Sequence, residues 1–189
     1  EGLDVKGKTV VVMVNDPGFL DHKLFKGETM TYYGRWTYKF EEAARQGATG
    51  VIIIHEDKAA SYPWAVVRSG WSKSKLYLGA VDNNKSRAQL EGWITQDVAK
   101  ELYKMSGKSA DLMVQAGKTG FKAVDLGLKV STTVNNTIKS SVSHNVAAIL
   151  PGTTRADEYI IYSAHWDHLG IGEAINGDSV YNGALDNAT

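Results

Sequence analysis

Two short apolar runs separated by one amphipathic stretch constrain this chain more than any other feature. Residues 8–15 read K-T-V-V-V-M-V-N and residues 51–54 read V-I-I-I. Near-continuous β-branched runs of this length suit strands buried on both faces, as in parallel sheets. Between them, from Thr37, Phe40, Ala43, Ala44 and Gly47 fall on one face at helical spacing, with Glu41, Glu42 and Arg45 outside. Strand, helix, strand in that order predicts a right-handed crossover unit. Asp16-Pro17-Gly18 ends the first strand with turn chemistry, and Gly47 and Gly50 bracket the end of the helix.

The rest of the chain is read in the same terms. Residues 21–35 are polar and aromatic without period and predict a long loop; residues 61–75 predict an aromatic loop containing Trp64 and Trp71. Residues 76–81 suit another strand and 90–94 a short extended piece. Thr95 is placed to cap a helix over 97–105 that Gly107 closes, and 109–116 suit a second short helix ending on a glycine. Beyond Gly120 alternation takes over, with Val124, Leu126, Leu128 and Val130 on one face of an expected strand. Residues 145–150 and 159–164 predict two more strands joined by a Pro-Gly turn region, an antiparallel pair. The domain boundary is expected near Lys122.

Composition narrows the function classes. The 189 residues are 43% hydrophobic and 22% charged, enough for one good core or two small ones. Lys plus Arg equals Asp plus Glu at 21 each, so net charge offers no electrostatic case for nucleic acid or an anionic membrane surface. No apolar run approaches the ~20 residues of a membrane span. The absence of Cys excludes disulfides and thiolate metal sites, leaving His and carboxylates as the donors for any metal. The chain opens on Glu1-Gly2 with neither Met nor a signal segment, which suggests an excised or processed piece.

Chemistry concentrates in residues 157–189. The apolar run 159–164 delivers His165, Asp167 and His168 at its C-terminal end, where open α/β sheets gather their ligands. Asp186 follows small residues in N-G-A-L-D-N-A-T, which reads as the lead-in to a helix. A His on a strand end and a later Asp at a loop-to-helix junction can converge on one metal ion. The plainer alternative makes His165 and Asp167 loop residues and Asp186 a helix cap.

Those residues carry a resemblance. A-H-W-D-H-L-G followed by Y-N-G-A-L-D-N-A-T resembles the start of the catalytic domain of the M28 family of zinc aminopeptidases. V-N-D-P-G-F, with Y-Y-G-R-W-T-Y-K-F-E-E-A-A-R-Q-G, resembles the protease-associated (PA) domain inserted in many of those enzymes. The resemblance implies an α+β chain. Residues 1–122 would be a PA-type β-rich domain with flanking helices, and residues 123–189 the truncated N-terminal part of the peptidase, holding the first strands of its α/β sheet. It implies two zinc ions, which would polarise the scissile carbonyl and lower the pKa of a shared water. His165 would be a ligand to one zinc, Asp186 the carboxylate bridging both, and Asp167 the catalytic-site carboxylate orienting an imidazole from behind.

The same resemblance calls for a Glu-Glu pair, another Asp and a final His, all after the Asp-Asn motif. Nothing follows Thr189, and Glu41-Glu42 precede the motif. The chain is therefore expected to hold half a metal site and to be inactive alone. A peptide or protein is the implied partner, and a secreted, periplasmic or cell-surface location the implied setting. The alternatives are a non-catalytic PA interaction module, or an M28-type carboxypeptidase or cyclase.

Several residues stand apart from the motif. Tyr32, Tyr33, Trp36, Trp64 and Trp71 fall in two loops; Trp64, Trp71 and Tyr33 are candidates for a substrate-binding wall or lid, or else they close a small core. His168 suits a structural role, and His22, His55 and His144 read as surface or loop histidines. The glycines at 170, 172, 177 and 183 match no phosphate-binding motif and suit tight turns. Asn135-Asn136-Thr137 and Asn187-Ala188-Thr189 match the glycosylation acceptor pattern.

Overall fold

Strand, helix and strand do build a parallel pair in the computed structural model, which describes residues 3–168 and 170–187. The chain divides into two units, Glu1–Val134 and Asn135–Thr189. In the first, β1 (Thr9–Met13), β2 (Gly50–His55) and β3 (Leu90–Thr95) form one parallel sheet in that order. Thr9 lies opposite Gly50 and Met13 opposite Ile54, while Gly50 faces Leu90 and His55 faces Thr95. The connections hold α1 (Trp36–Arg45), α2 (Asp57–Ala60) and α3 (Trp64–Trp71), and α4 (Gln96–Met105) and α5 (Leu112–Ala116) follow β3.

Period-two alternation splits the sheet's side chains between two cores. Val14, Val51 and Ile53 join Phe40 of α1 and Ala59 and Ala60 of α2, with Val10, Val12, Trp36, Trp71 and Trp93 packed around them. Ile54 joins Ala99 and Tyr103 of α4, bordered by Val11, Met13 and Ile94. Each face thus has its own helical cover, and this is why the strands read as continuous apolar runs. Ends are capped as the side chains permit. Thr95 Oγ1 accepts from the Val98 amide at the start of α4, and the Glu56 carboxylate accepts from the Lys58 and Ala59 amides at the start of α2. Gly47 ends α1 at φ +83°, its amide donating to the Ala44 carbonyl.

The N-D-P-G stretch is a structural staple. Asp16 is 5% exposed and accepts from the Gly18 amide (3.0 Å), the Thr31 amide (3.0 Å) and the Thr31 hydroxyl (2.7 Å). Asn15 donates through Nδ2 to the Ala59 carbonyl (2.8 Å), tying the end of β1 to α2. The expected long loop 21–35 is held across its neck by these bonds.

Several expectations need correction. The first unit is mixed helix and strand, compatible with α+β, and not β-rich: among its described residues three strands stand beside five helices. The aromatic loop 61–75 contains α3; Pro63 precedes its first residue, Trp64, and Val67 points into the core at 4% exposed. Proline is at home at a helix start, and Pro63 marks where α3 begins. Residues 76–81 form no strand, and Leu76, Leu78 and Val81 are exposed. Nor do 124–130, 145–150 or 159–164, although Leu126 packs against the second core. Ile160 is 87% exposed and Leu150 95%. A strand exists only through its neighbour's hydrogen bonds, and no described segment pairs with these runs.

The second unit's regular structure is a hairpin. β4 (Gly170–Ile175) pairs antiparallel with β5 (Asp178–Tyr181) across Asn176-Gly177. Both turn residues have positive φ, 53° and 87°, the requirement of a type I′ turn. The expected glycine-punctuated loop is thus largely a hairpin. Residues 184–187 form a turn, and the end of the second glycosylation pattern, residues 188 and 189, lies outside the described residues.

Candidate functional site

The second unit brings His165, Asp167 and Asp186 together. The His165 amide donates to the Asn187 carbonyl (3.2 Å), and the Asn187 amide donates back to His165 Nε2 (3.0 Å). Two reciprocal bonds therefore lay the 184–187 turn against the histidine. An amide nitrogen can only donate, so Nε2 is the unprotonated nitrogen and Nδ1 carries the hydrogen. Nδ1 meets Asp167 Oδ1 at 3.1 Å. On the other side of the ring, Asp186 Oδ1 is 3.8 Å from Nε2. The Asp186–Asn187 peptide bond is cis. His168 sits 5.9 Å from His165 between ring centroids. It also packs on Gly183, where an added Cβ would come within 2.8 Å of the His168 ring, a close approach that only glycine permits.

The Nε2 lone pair, taken by the Asn187 amide, lies beside the Asp186 carboxylate, and a second carboxylate fixes the tautomer. Zinc takes four donors at a structural site and three beside water at a catalytic one. His165 and Asp186 supply two, so the described residues do not complete a zinc site. Among them no group of three or more His, Cys, Asp and Glu side chains could hold a metal ion.

Residues 145–189 match the family model of peptidase family M28. This segment is similar to a peptidase family, and all three clustered side chains lie inside it. No curated protein and no solved structure matches the chain.

The aromatic candidates of the first unit do not share one wall. Tyr33 packs edge-on against Tyr38 (5.1 Å) and near Phe25 (6.1 Å), and is 52% exposed. Trp64 and Trp71 occupy opposite ends of α3 and line different cavities. Trp71 belongs to the rim of the first core, together with Trp36 and Trp93.

Trp64 lines a cavity of about 350 Å³ with His55, Asp57, Thr95 and Asp97, where β2 and β3 end. That edge of a parallel sheet is the usual ligand crevice. His55, expected on a surface or loop, is 3% exposed. Its Nε2 meets Asp57 Oδ1 at 2.9 Å, and the same oxygen accepts from the Trp64 amide at 3.0 Å. The missed signal was already in use elsewhere: His55-Glu56-Asp57 is a His-x-Asp after a buried strand run, as His165-Trp166-Asp167 is after an apolar one. No described helix is long and apolar enough to cross a membrane.

Proposed function

We propose that residues 123–189 are the opening part of a two-zinc aminopeptidase domain of the M28 type, and that residues 1–122 are a PA-type domain. In this reading the whole protein removes N-terminal residues from peptides and is secreted, periplasmic or at the cell surface. Zinc takes the His165 Nε2 lone pair in place of the Asn187 amide, Asp167 holds the imidazole in that tautomer, and Asp186 supplies the bridging carboxylate. Trp64, Trp71 and Tyr33 act as substrate-contacting residues of the PA-type domain. The observation carrying the proposal is the meeting of His165 Nε2 and Asp186 Oδ1, 3.8 Å apart, within the segment that matches a peptidase family.

The first test is zinc titration of the 189-residue chain, read by imidazole nitrogen NMR. The His165 Nε2 signal should shift and Nδ1 should keep its proton. Asp167→Asn should weaken zinc affinity by about tenfold to a hundredfold, the usual cost of losing a carboxylate behind a ligand histidine. A response confined to other histidines would reject the ligand role. The second test is hydrolysis of amino-acid p-nitroanilides by the longest natural-frame protein containing this segment. Zinc-dependent release should disappear in His165→Ala. Release from the C-terminal end of peptides instead would reject the aminopeptidase assignment and keep the peptidase one.

A further inference from the structure

A second cavity lies between α3 and the edge strand β3. It measures about 240 Å³ and is lined by Trp36, Tyr62, Val67, Trp71, Lys75 and Trp93, among others. For scale, an apolar cavity of about 150 Å³ takes up benzene. Four of its lining residues are aromatic and two are valines; Trp36 and Trp71 stand 6.0 Å apart, and Trp71 and Trp93 6.2 Å, all steeply inclined to one another. Such a space suits one planar or branched apolar group.

One cationic group, the Lys75 ammonium, lines this cavity. Lys75 lays its ammonium over the Trp71 ring at 3.8 Å and makes no ion pair among the described residues. Its pKa is lowered from 10.5, first by burial and then by the charge of Arg87. Arg87 is itself committed to Glu91. The cavity therefore has a largely apolar body and one cation, Lys75, with no carboxylate in its lining.

We infer that this cavity is a binding site for an apolar side chain carrying an adjacent carboxylate, as presented by the C-terminal residue of a peptide. The apolar walls take the side chain, and the Lys75 ammonium takes the carboxylate. The site lies wholly within the first unit; it shares Trp71 with the proposed substrate contacts, and its binding is read without any peptidase activity.

The test is a tryptophan-fluorescence titration of the 189-residue chain with N-acetyl-L-phenylalanine and with its neutral amide. The acid should bind saturably, and about tenfold more tightly than the amide, the value of one charge-assisted hydrogen bond. Lys75→Met keeps the stem over Trp71 and removes the charge, so it should abolish that preference. A peptide ending in a free Phe should compete with the acid, whereas the same peptide amidated should not. Equal binding of acid and amide, unchanged preference in Lys75→Met, no saturable binding by protein with native circular dichroism, or failure of the peptide to compete would each overturn the proposal.

Discussion

Single side chains hold the first unit at points where the backbone turns. Asp16 makes three hydrogen bonds from a buried position, so Asp16→Ala leaves two donors of Thr31 and one of Gly18 without their acceptor. The expected loss is about 2–3 kcal/mol, since each buried donor left unmet costs on the order of 1 kcal/mol or more. Urea denaturation of the two proteins measures it. Lys39 gives a pH-dependent counterpart. Burial lowers its pKa from 10.5, and attraction to Asp16 opposes this only in part. A cation with a lowered folded-state pKa loses its proton more readily when folded, so stability rises with pH between the folded value and 10.5. Lys39→Met should therefore raise the melting temperature at pH 7, with the gain shrinking as pH approaches 10.5. A gain that grew with pH would contradict this. His165 was legible at this scale because a peptidase-like motif surrounds it. His55, with the same His-x-Asp spacing, was not, because its burial depends on Tyr62, Trp64 and Trp93 closing around it.

Elements followed the sequence where their signals were local. The cap at Thr95, the amphipathic faces of α1 and α4 and the glycine after α1 all depend on residues within one or two turns. Gly47→Ala forces a Cβ into positive φ with the Lys6 side chain 3.4 Å away. It should cost about 1 kcal/mol, as replacing glycine in a left-handed conformation does. Thermal unfolding of Gly47→Ala beside an exposed mid-helix control would show whether the loss belongs to that backbone angle. The hairpin was also within reach, because Asn-Gly between extended runs is the strongest short-range turn signal. It reads as a loop because the glycines at 170, 172 and 183 break up the strand pattern on both sides of that dipeptide. By contrast, α3 and the unformed strand at 76–81 were misread because Pro63 and alternating apolar residues are ambiguous without their neighbours.

At the scale of the whole chain, the two units differ in how much regular structure they hold. From residue 121 to 168 the chain has no helix or strand, and its side chains are almost all exposed. Proteolysis selects exposed backbone that makes few hydrogen bonds. Brief treatment with a nonspecific protease should cut within 135–168 and leave a first-unit fragment that keeps β1 to β3, identified by mass spectrometry. Early cuts inside β2 or α1 instead would show that the sheet is the weaker part.

The sequence by itself determined the parallel sheet, its first crossover helix and the capped helix after β3. Hydrophobic period and caps are local codes, written over a few consecutive residues. It also determined that any metal donor must be His or carboxylate, and that His165, Asp167 and Asp186 belong together. Only the tertiary structure decided that Asp16 and Thr31 staple a loop, that His55 is buried, and that Trp71 and Trp93 share a cavity while Trp64 does not. Those outcomes depend on side chains distant in the sequence arriving at one place. No local pattern encodes that arrival, because burial, pairing and unmet hydrogen bonds are properties of the surroundings and not of the residue.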